Sequence, residues 1–151
     1  MQLSGSQVLK ATPSTIWEML MDPAVLARVV PGISQLEKLS DNSFKSILQI
    51  KIGPVSGSFT GNLQLEDIAA EKSFTIKAQQ NSKIGNANAA VKINLVPVEP
   101  AQTEVNFDGD VKISGMLATM GQRVIGSVAN TLTKQFFSNL EKELEIKESP
   151  S

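Results

Sequence analysis

The spacing of apolar residues changes twice along the chain and divides it into three parts. In the first part, apolar residues recur at helical spacing in two short segments that begin at Thr12-Pro13 and Asp22-Pro23. A hydroxyl or carboxylate followed by proline is typical of a helix start, because the side chain caps the first turn and proline fits its first position. Pro31-Gly32 ends the second segment. We therefore predict a first strand over residues 2–10, followed by two short helices.

In the middle part the period becomes two. The change begins at Ile33, and the alternation of apolar and polar residues is clear from Phe44 to Ser114. Such alternation in consecutive segments is typical of an antiparallel sheet with one dry face and one wet face. Turn signals separate the successive strands at Gly53-Pro54, 67–72, 82–85 and 97–102.

The last part returns to helical spacing and predicts one long helix from about Met116 to about Lys147. Its apolar stripe drifts around the helix axis beyond Leu132, so we expect its two halves to contact different surfaces. The predicted fold class is α+β: a curved antiparallel sheet, two short helices after the first strand, and a long C-terminal helix packed on the sheet. We expect one domain over residues 1–148 and a short polar tail over 149–151.

The predicted dry face of the sheet carries an unusual number of small side chains. Among larger residues (Phe44, Leu48, Phe59 and Phe107) it contains Gly57, Gly61, Ala78, Ala87, Ala89 and Gly109. Because protein interiors are filled to crystal-like density, this leaves two alternatives. Either the helix lies close to the sheet, with the glycines marking bends or bulges, or an apolar cavity of at least ~300 Å³ remains.

If the cavity exists, the sequence predicts both its ligand and its helical wall. Our register places no charged side chain inward on the strands, which suits an uncharged, lipophilic molecule. On the helical side the candidate ligand-binding residues are Val29, Met116, Leu117, Met120, Gly121 and Val124. We expect Val29 and Val30 to lie on one side of the entrance, and Met116, Leu117 and Met120 on the other.

Composition excludes several classes of function. Fourteen Lys and Arg residues balance fifteen Asp and Glu, so no basic excess points to nucleic acid. The chain contains no Cys, His or Tyr, which excludes Cys nucleophiles, Cys/His zinc sites and a histidine base.

The first residues do not resemble a signal peptide, and no apolar run reaches the ~18 residues of a membrane span. We therefore expect a cytoplasmic protein.

Four further features have a functional and an ordinary interpretation. Trp17 lines a ligand entrance or belongs to the core, and the core is the better interpretation of a lone tryptophan on an amphipathic helix. Pro31-Gly32 forms a gate or simply ends a helix. Arg123 meets a ligand carbonyl or an acidic partner, or is a solvated surface residue. Asp108 and Asp110 bind a metal only if a compact ligand loop forms, and the sequence has no such motif.

Several stretches of the chain resemble the family of the carbon monoxide dehydrogenase G subunit, within the START-like superfamily of helix-grip proteins. They are Ala11-Thr-Pro-Ser-Thr-Ile-Trp17, Leu20-Met-Asp-Pro-Ala-Val-Leu26, Val30-Pro-Gly-Ile33, Lys51-Ile-Gly-Pro-Val-Ser-Gly57 with Phe59 and Gly61, and Gly115-Met-Leu-Ala-Thr-Met-Gly-Gln-Arg123 with Phe136-Phe137. The resemblance extends from the first strand to the end of the long helix. The Ile-Gly-Pro-Val-x-Gly and Met-Gly-Gln-Arg runs make it specific.

The resemblance implies a non-catalytic accessory protein that binds a quinone between sheet and long helix and serves a molybdenum hydroxylase such as carbon monoxide dehydrogenase. It implies no covalent cofactor. Some relatives carry a long C-terminal extension for membrane attachment, whereas this sequence ends at Ser151, so we expect peripheral, transient membrane contact. Two alternatives stay open: an interaction or assembly module that recruits the enzyme without a stable ligand, and an enzyme, which the residues of the dry face support least.

Overall fold

The computed structural model describes residues 1–148 and confirms the predicted α+β fold. The elements, in chain order, are β1 (Gln2–Leu9), α1 (Pro13–Leu20), α2 (Pro23–Val29), β2 (Ile33–Ser40), β3 (Ser43–Ile52), β4 (Val55–Ala69), β5 (Ser73–Ser82), β6 (Gly85–Glu99), β7 (Gln102–Ser114), α3 (Met116–Thr119) and α4 (Gln122–Glu148). Seven antiparallel strands form one sheet in the order β1-β7-β6-β5-β4-β3-β2. The polar tail predicted for 149–151 lies outside the described residues.

Both short helices begin at the residues that the sequence predicts. Thr12 caps α1, with its Oγ1 accepting a hydrogen bond from the Thr15 backbone N–H at 3.2 Å. Asp22 caps α2 in the same way and accepts from the Ala24 N–H at 3.0 Å. In each helix a proline occupies the first turn, where its missing N–H has no intrahelical partner to lose.

The strands are more extensive than the sequence indicates. Residues 33–40, whose alternation is weak, form the separate edge strand β2, paired with β3. β4 continues past the predicted turn at residue 67 to Ala69, through a register shift after Glu66. A positive φ of 51° at Asp67 accommodates this irregularity. Backbone pairing therefore extends over positions whose side chains give no period-two signal.

The long helix is not continuous from Met116, which corrects the prediction. A single-turn helix, α3, ends before Gly121, and the long helix α4 begins only at Gln122. Gly121 has φ of +88°, a left-handed conformation that glycine adopts without steric cost and that cannot continue a helix. The stripe predicted across residues 116–128 is therefore divided between two helices.

The two halves of α4 contact different surfaces, as predicted. Its C-terminal half contributes Phe137, Leu140 and Leu144 to a large hydrophobic core with α1, α2 and the sheet. Its N-terminal half contributes Val128 to a second cluster with Phe59 and with Leu117 of α3. Members of both clusters, Phe137 and Val128 among them, also line the space between sheet and helix.

Polar contacts hold α2 against α4. Arg28 donates from Nε and Nη2 to the two carboxylate oxygens of Glu143, at 2.7 and 3.2 Å. This hydrogen bonding raises the pKa of Arg28 above its ordinary value. Asn139 donates to the carbonyl oxygen of Val29 at 3.2 Å, which satisfies a backbone group at the end of α2. These contacts fix the short helix beside the long one.

Candidate functional site

A cavity of about 400 Å³ lies between the inner face of the sheet and the N-terminal half of α4. This confirms the prediction of at least ~300 Å³, the lower end of ligand pockets. Its lining comes from nearly every strand and from three helices: Met1, Leu3, Leu26, Val30, Phe44, Leu48, Ile50, Val55, Phe59, Leu63, Leu65, Ile76, Ala78, Gln80, Ala87, Ala89, Val91, Ile93, Val105, Phe107, Val111, Ile113, Leu117, Ile125, Val128, Ala129, Leu132, Thr133, Phe136 and Phe137.

Alanines in the central strands account for part of this volume. Ala78 of β5 and Ala89 of β6 are directly opposite each other in the register, and both line the cavity. Ala87 lines it one inward position further along β6. A branched side chain at any of these three positions would fill part of the space between sheet and helix, which alanine leaves open. The floor of the cavity is therefore the middle of the sheet.

The strand glycines have a different role from the alanines: at two of the three, the backbone of a neighbouring strand comes too close for a side chain. A Cβ at Gly61 would lie 1.7 Å from the Gln79 carbonyl oxygen, and one at Gly109 would lie 2.4 Å from that of Ala90. Both positions need glycine because neighbouring backbones approach closely. Only at Gly57 would a Cβ meet open space. None of the three is a lining residue of the cavity.

Of the predicted site residues, eight line the cavity: Phe44, Leu48, Phe59, Ala78, Ala87, Ala89, Phe107 and Leu117. Most of the predicted helical residues lie outside this lining. Val29 is fully buried in the core, and its neighbour Val30 lines the cavity instead. Met116 is 58% exposed. Met120, Gly121 and Val124 are not lining residues either. Binding by any of these residues, and the entrance between α2 and α3, stay predictions.

The part of the cavity's helical wall that the sequence does not predict belongs to α4. Its lining residues Ile125, Val128, Ala129, Leu132, Thr133 and Phe136 recur at steps of three and four, which places them on one helical face. These residues are recognisable as one stripe when the helical spacing is counted from Gln122. The stripe is obscured when residues 116–121 are counted as part of the same helix.

The wall is almost entirely hydrocarbon. Gln80 and Thr133 carry its two polar side chains among residues 1–146, and no Lys, Arg, Asp or Glu in that part of the chain lines it. The Thr133 hydroxyl donates to the carbonyl oxygen of Ala129, one turn earlier in α4, at 2.9 Å. The Gln80 Nε2 group donates to the hydroxyl of Ser46 at 3.0 Å. Among the described side chains of this wall, a charged ligand group would find no counter-ion.

The structure places three of the features that have two interpretations. Trp17 packs edge-on against Phe74 at 5.6 Å between ring centroids, in the core rather than at the cavity. Arg123 is exposed on α4. Asp110 pairs with the amino group of Met1 at 3.1 Å. Within the described residues, no group of three or more acidic side chains is placed to hold a metal ion.

The sequence predicts that no segment is long and apolar enough to span a membrane, and the helices of the structure can be compared with this prediction. None of the helices in residues 1–148 is both long and apolar enough to cross a bilayer. The longest, α4, carries charged residues in its C-terminal half, such as Glu141, Lys142 and Glu143.

Solved structures share this architecture. A conserved protein from Geobacillus kaustophilus superposes with a TM-score of 0.91 at 30% identity, covering 95% of this chain and 94% of that one. A START superfamily protein from Mycobacterium smegmatis gives 0.76 at 17% identity, covering 95% and 97%. An aromatase/cyclase from a Streptomyces species gives 0.70 at 12% identity, covering 96% and 93%. The last two, at low identity, show the fold alone.

Comparison with protein families identifies the chain more closely. No curated protein matches it. The family model of the carbon monoxide dehydrogenase G subunit (CoxG) matches residues 5–145, which includes most of β1, all the other strands and nearly all of α4. The chain therefore has the START-like fold and belongs to the CoxG family, that of the carbon monoxide dehydrogenase G subunit.

Proposed function

We propose that this protein is a non-catalytic accessory protein that binds a lipophilic small molecule, a quinone, and serves a molybdenum hydroxylase such as carbon monoxide dehydrogenase. The observation that carries the proposal is the apolar cavity of about 400 Å³ between sheet and helix. Membership of the CoxG family supports the choice of partner.

The chemistry of the cavity wall favours this class of ligand. A quinone ring with an isoprenoid tail is uncharged and almost wholly apolar, which matches a wall without ionisable side chains among the described residues. Removing apolar surface from water stabilises a complex by about 25 cal/mol per Å². A volume of this size is within the range of small-molecule pockets. The cavity therefore gains affinity from burial rather than from charge.

In this function the protein binds the quinone, and the partner enzyme carries out the reaction. Reduction of a quinone to its quinol takes two electrons and two protons. The partner enzyme supplies the electrons, and water supplies the protons. The lining residues orient the ring and keep the tail out of water. The exposed side chain of Met116, next to the lining residue Leu117, gives an apolar surface for brief contact with a membrane or with the enzyme.

Electron transfer to a membrane-bound quinone tests the proposal. Purified carbon monoxide dehydrogenase, its substrate and quinone-loaded vesicles are mixed with and without this protein, and quinol formation is followed by absorbance. We expect the protein to accelerate quinol formation at least about tenfold, because it supplies the enzyme with quinone that is otherwise confined to the bilayer. No acceleration contradicts the proposal. Equal acceleration by a variant that cannot bind quinone favours the alternative of an assembly module.

A further inference from the structure

A short polar row crosses the apolar inner face of the sheet. Ser46 on β3 is directly opposite Gly61 on β4, and Gly61 is directly opposite Gln80 on β5. The Gln80 side chain reaches across the glycine, and its Nε2 group donates to the Ser46 hydroxyl at 3.0 Å. Because Gly61 has no side chain, nothing lies between the amide and the hydroxyl.

A second hydrogen bond fixes which way the Gln80 amide faces. Its Nε2 group also donates, at 3.4 Å, to the backbone carbonyl oxygen of Asn62. A carbonyl oxygen only accepts hydrogen bonds, so exchanging the amide nitrogen and oxygen would set two acceptors against each other. The nitrogen therefore belongs on the side of β3 and β4, and the oxygen Oε1 is left for another donor.

That donor is missing from the described residues. Gln80 lines the cavity and is 5% exposed, and its Oε1 atom is buried without a hydrogen-bond partner in residues 1–148. A buried acceptor without a donor destabilises a protein by about 1–3 kcal/mol. A bound water would need two to four polar partners. The residues directly opposite Gln80 on the neighbouring strands are Gly61 and Ala87, and the nearest polar side chain on the same face of its own strand, Ser82, is hydrogen-bonded to the Gly85 carbonyl oxygen and the Ile84 N–H. The wall is thus incomplete at one named atom.

We infer that Gln80 Oε1 accepts a hydrogen bond from a hydroxyl group of the bound ligand, and that the cavity therefore holds a hydroxyl-bearing molecule more tightly than its carbonyl or ether counterpart. This inference rests on the proposed function. Applied to a quinone, whose oxygens only accept, it means that the quinol is the better ligand. A site that prefers the reduced form also favours reduction of the ligand while it is bound.

A matched pair of probes tests this without redox chemistry. 2-Methyl-1-naphthol donates one hydrogen bond, and its methyl ether has a similar apolar body with no donor. Binding of both is measured by calorimetry to the full chain and to the variants Gln80→Met and Gln79→Met. Gln79 is the neighbouring exposed residue on the outer face, so its variant is the control. We expect the full chain and Gln79→Met to prefer the naphthol about tenfold. Gln80→Met should bind both probes equally.

The outcomes separate this inference from the proposed function. If neither probe binds the unmodified chain, the proposed function fails. If both bind equally well, only the inference fails. If Gln80→Met loses stability but keeps the preference, Gln80 is a structural brace and the inference is overturned. Should that variant not fold, the side-chain carbonyl ¹³C resonance of Gln80 in the unmodified chain decides. It should shift with the naphthol and not with the ether, and equal shifts contradict the inference.

Discussion

Ala89→Phe should weaken the binding of a short-tailed quinone by at least about 100-fold, equivalent to about 2.8 kcal/mol. Ala89 lies on the floor of the cavity opposite Ala78, so an aromatic ring at this position occupies space that the ligand needs. The fold should tolerate the change because the ring enters a void rather than a packed layer. Binding is measured by calorimetry and folding by the thermal unfolding midpoint.

Ala90→Phe is the matched control for this experiment. Ala90 is the next residue on the same strand and is exposed on the outer face of the sheet. It should leave quinone affinity unchanged within about twofold. If Ala89→Phe instead lowers the free energy of unfolding by about 1–3 kcal/mol and leaves affinity unchanged, the site is close-packed and is not a ligand cavity.

Leu140→Ala should lower the free energy of unfolding by about 2–5 kcal/mol, whereas Leu132→Ala, two turns earlier on α4, should lower it by less than about 2 kcal/mol. Leu140 is 0% exposed in the large core, so its truncation leaves a new hole. Leu132 is half-buried and already faces the cavity, so its truncation only enlarges a void.

Urea unfolding of both variants and of the unmodified chain, without ligand, measures the difference. The dependence on urea concentration should stay the same in all three proteins, which shows that the same surface is exposed on unfolding. Equal losses at the two positions would mean that the N-terminal half of α4 packs as tightly as its C-terminal half, contrary to the cavity.

The order of elements follows from short-range chemistry and is therefore predictable. Thr12 and Asp22 mark the helix starts because capping depends on residues two or three positions away. The alternation from Phe44 to Ser114 marks the sheet because one face is dry. Edge strand β2 is not predicted as a separate strand, since few of its side chains are buried and its pattern carries little information.

The break before α4 is harder to predict. Glycine lowers helix propensity by only about 1 kcal/mol, so a glycine in an apolar stripe does not by itself indicate a new helix. At Gly121 the backbone adopts a left-handed conformation, and α4 starts at the next residue. Because of this single break, the sequence predicts a helical wall at Met116, Met120 and Val124, whereas the structure places it on the stripe that begins at Ile125.

The cavity floor is predictable because alternation gives the inward positions directly. Alternation does not say why an inward residue is small, however. Ala78 and Ala89 leave space for the cavity, whereas Gly61 and Gly109 permit the backbones of neighbouring strands to approach closely. Which of the two applies depends on the path of the neighbouring strands. The role of Gln80 is hidden in the sequence for a similar reason. Its partner Ser46 lies 34 positions away in sequence and is adjacent only across three paired strands.

Native mass spectrometry of the full chain, mixed with a slight excess of a short-tailed quinone, tests whether the cavity holds this ligand. We expect a complex of one quinone per chain, which Ala89→Phe abolishes and Ala90→Phe retains. We also expect a rise in the thermal midpoint, since a ligand at 100 times its dissociation constant stabilises the folded state by about 2.7 kcal/mol. An unmodified chain that stays free of quinone and keeps its thermal midpoint would contradict quinone binding in this cavity.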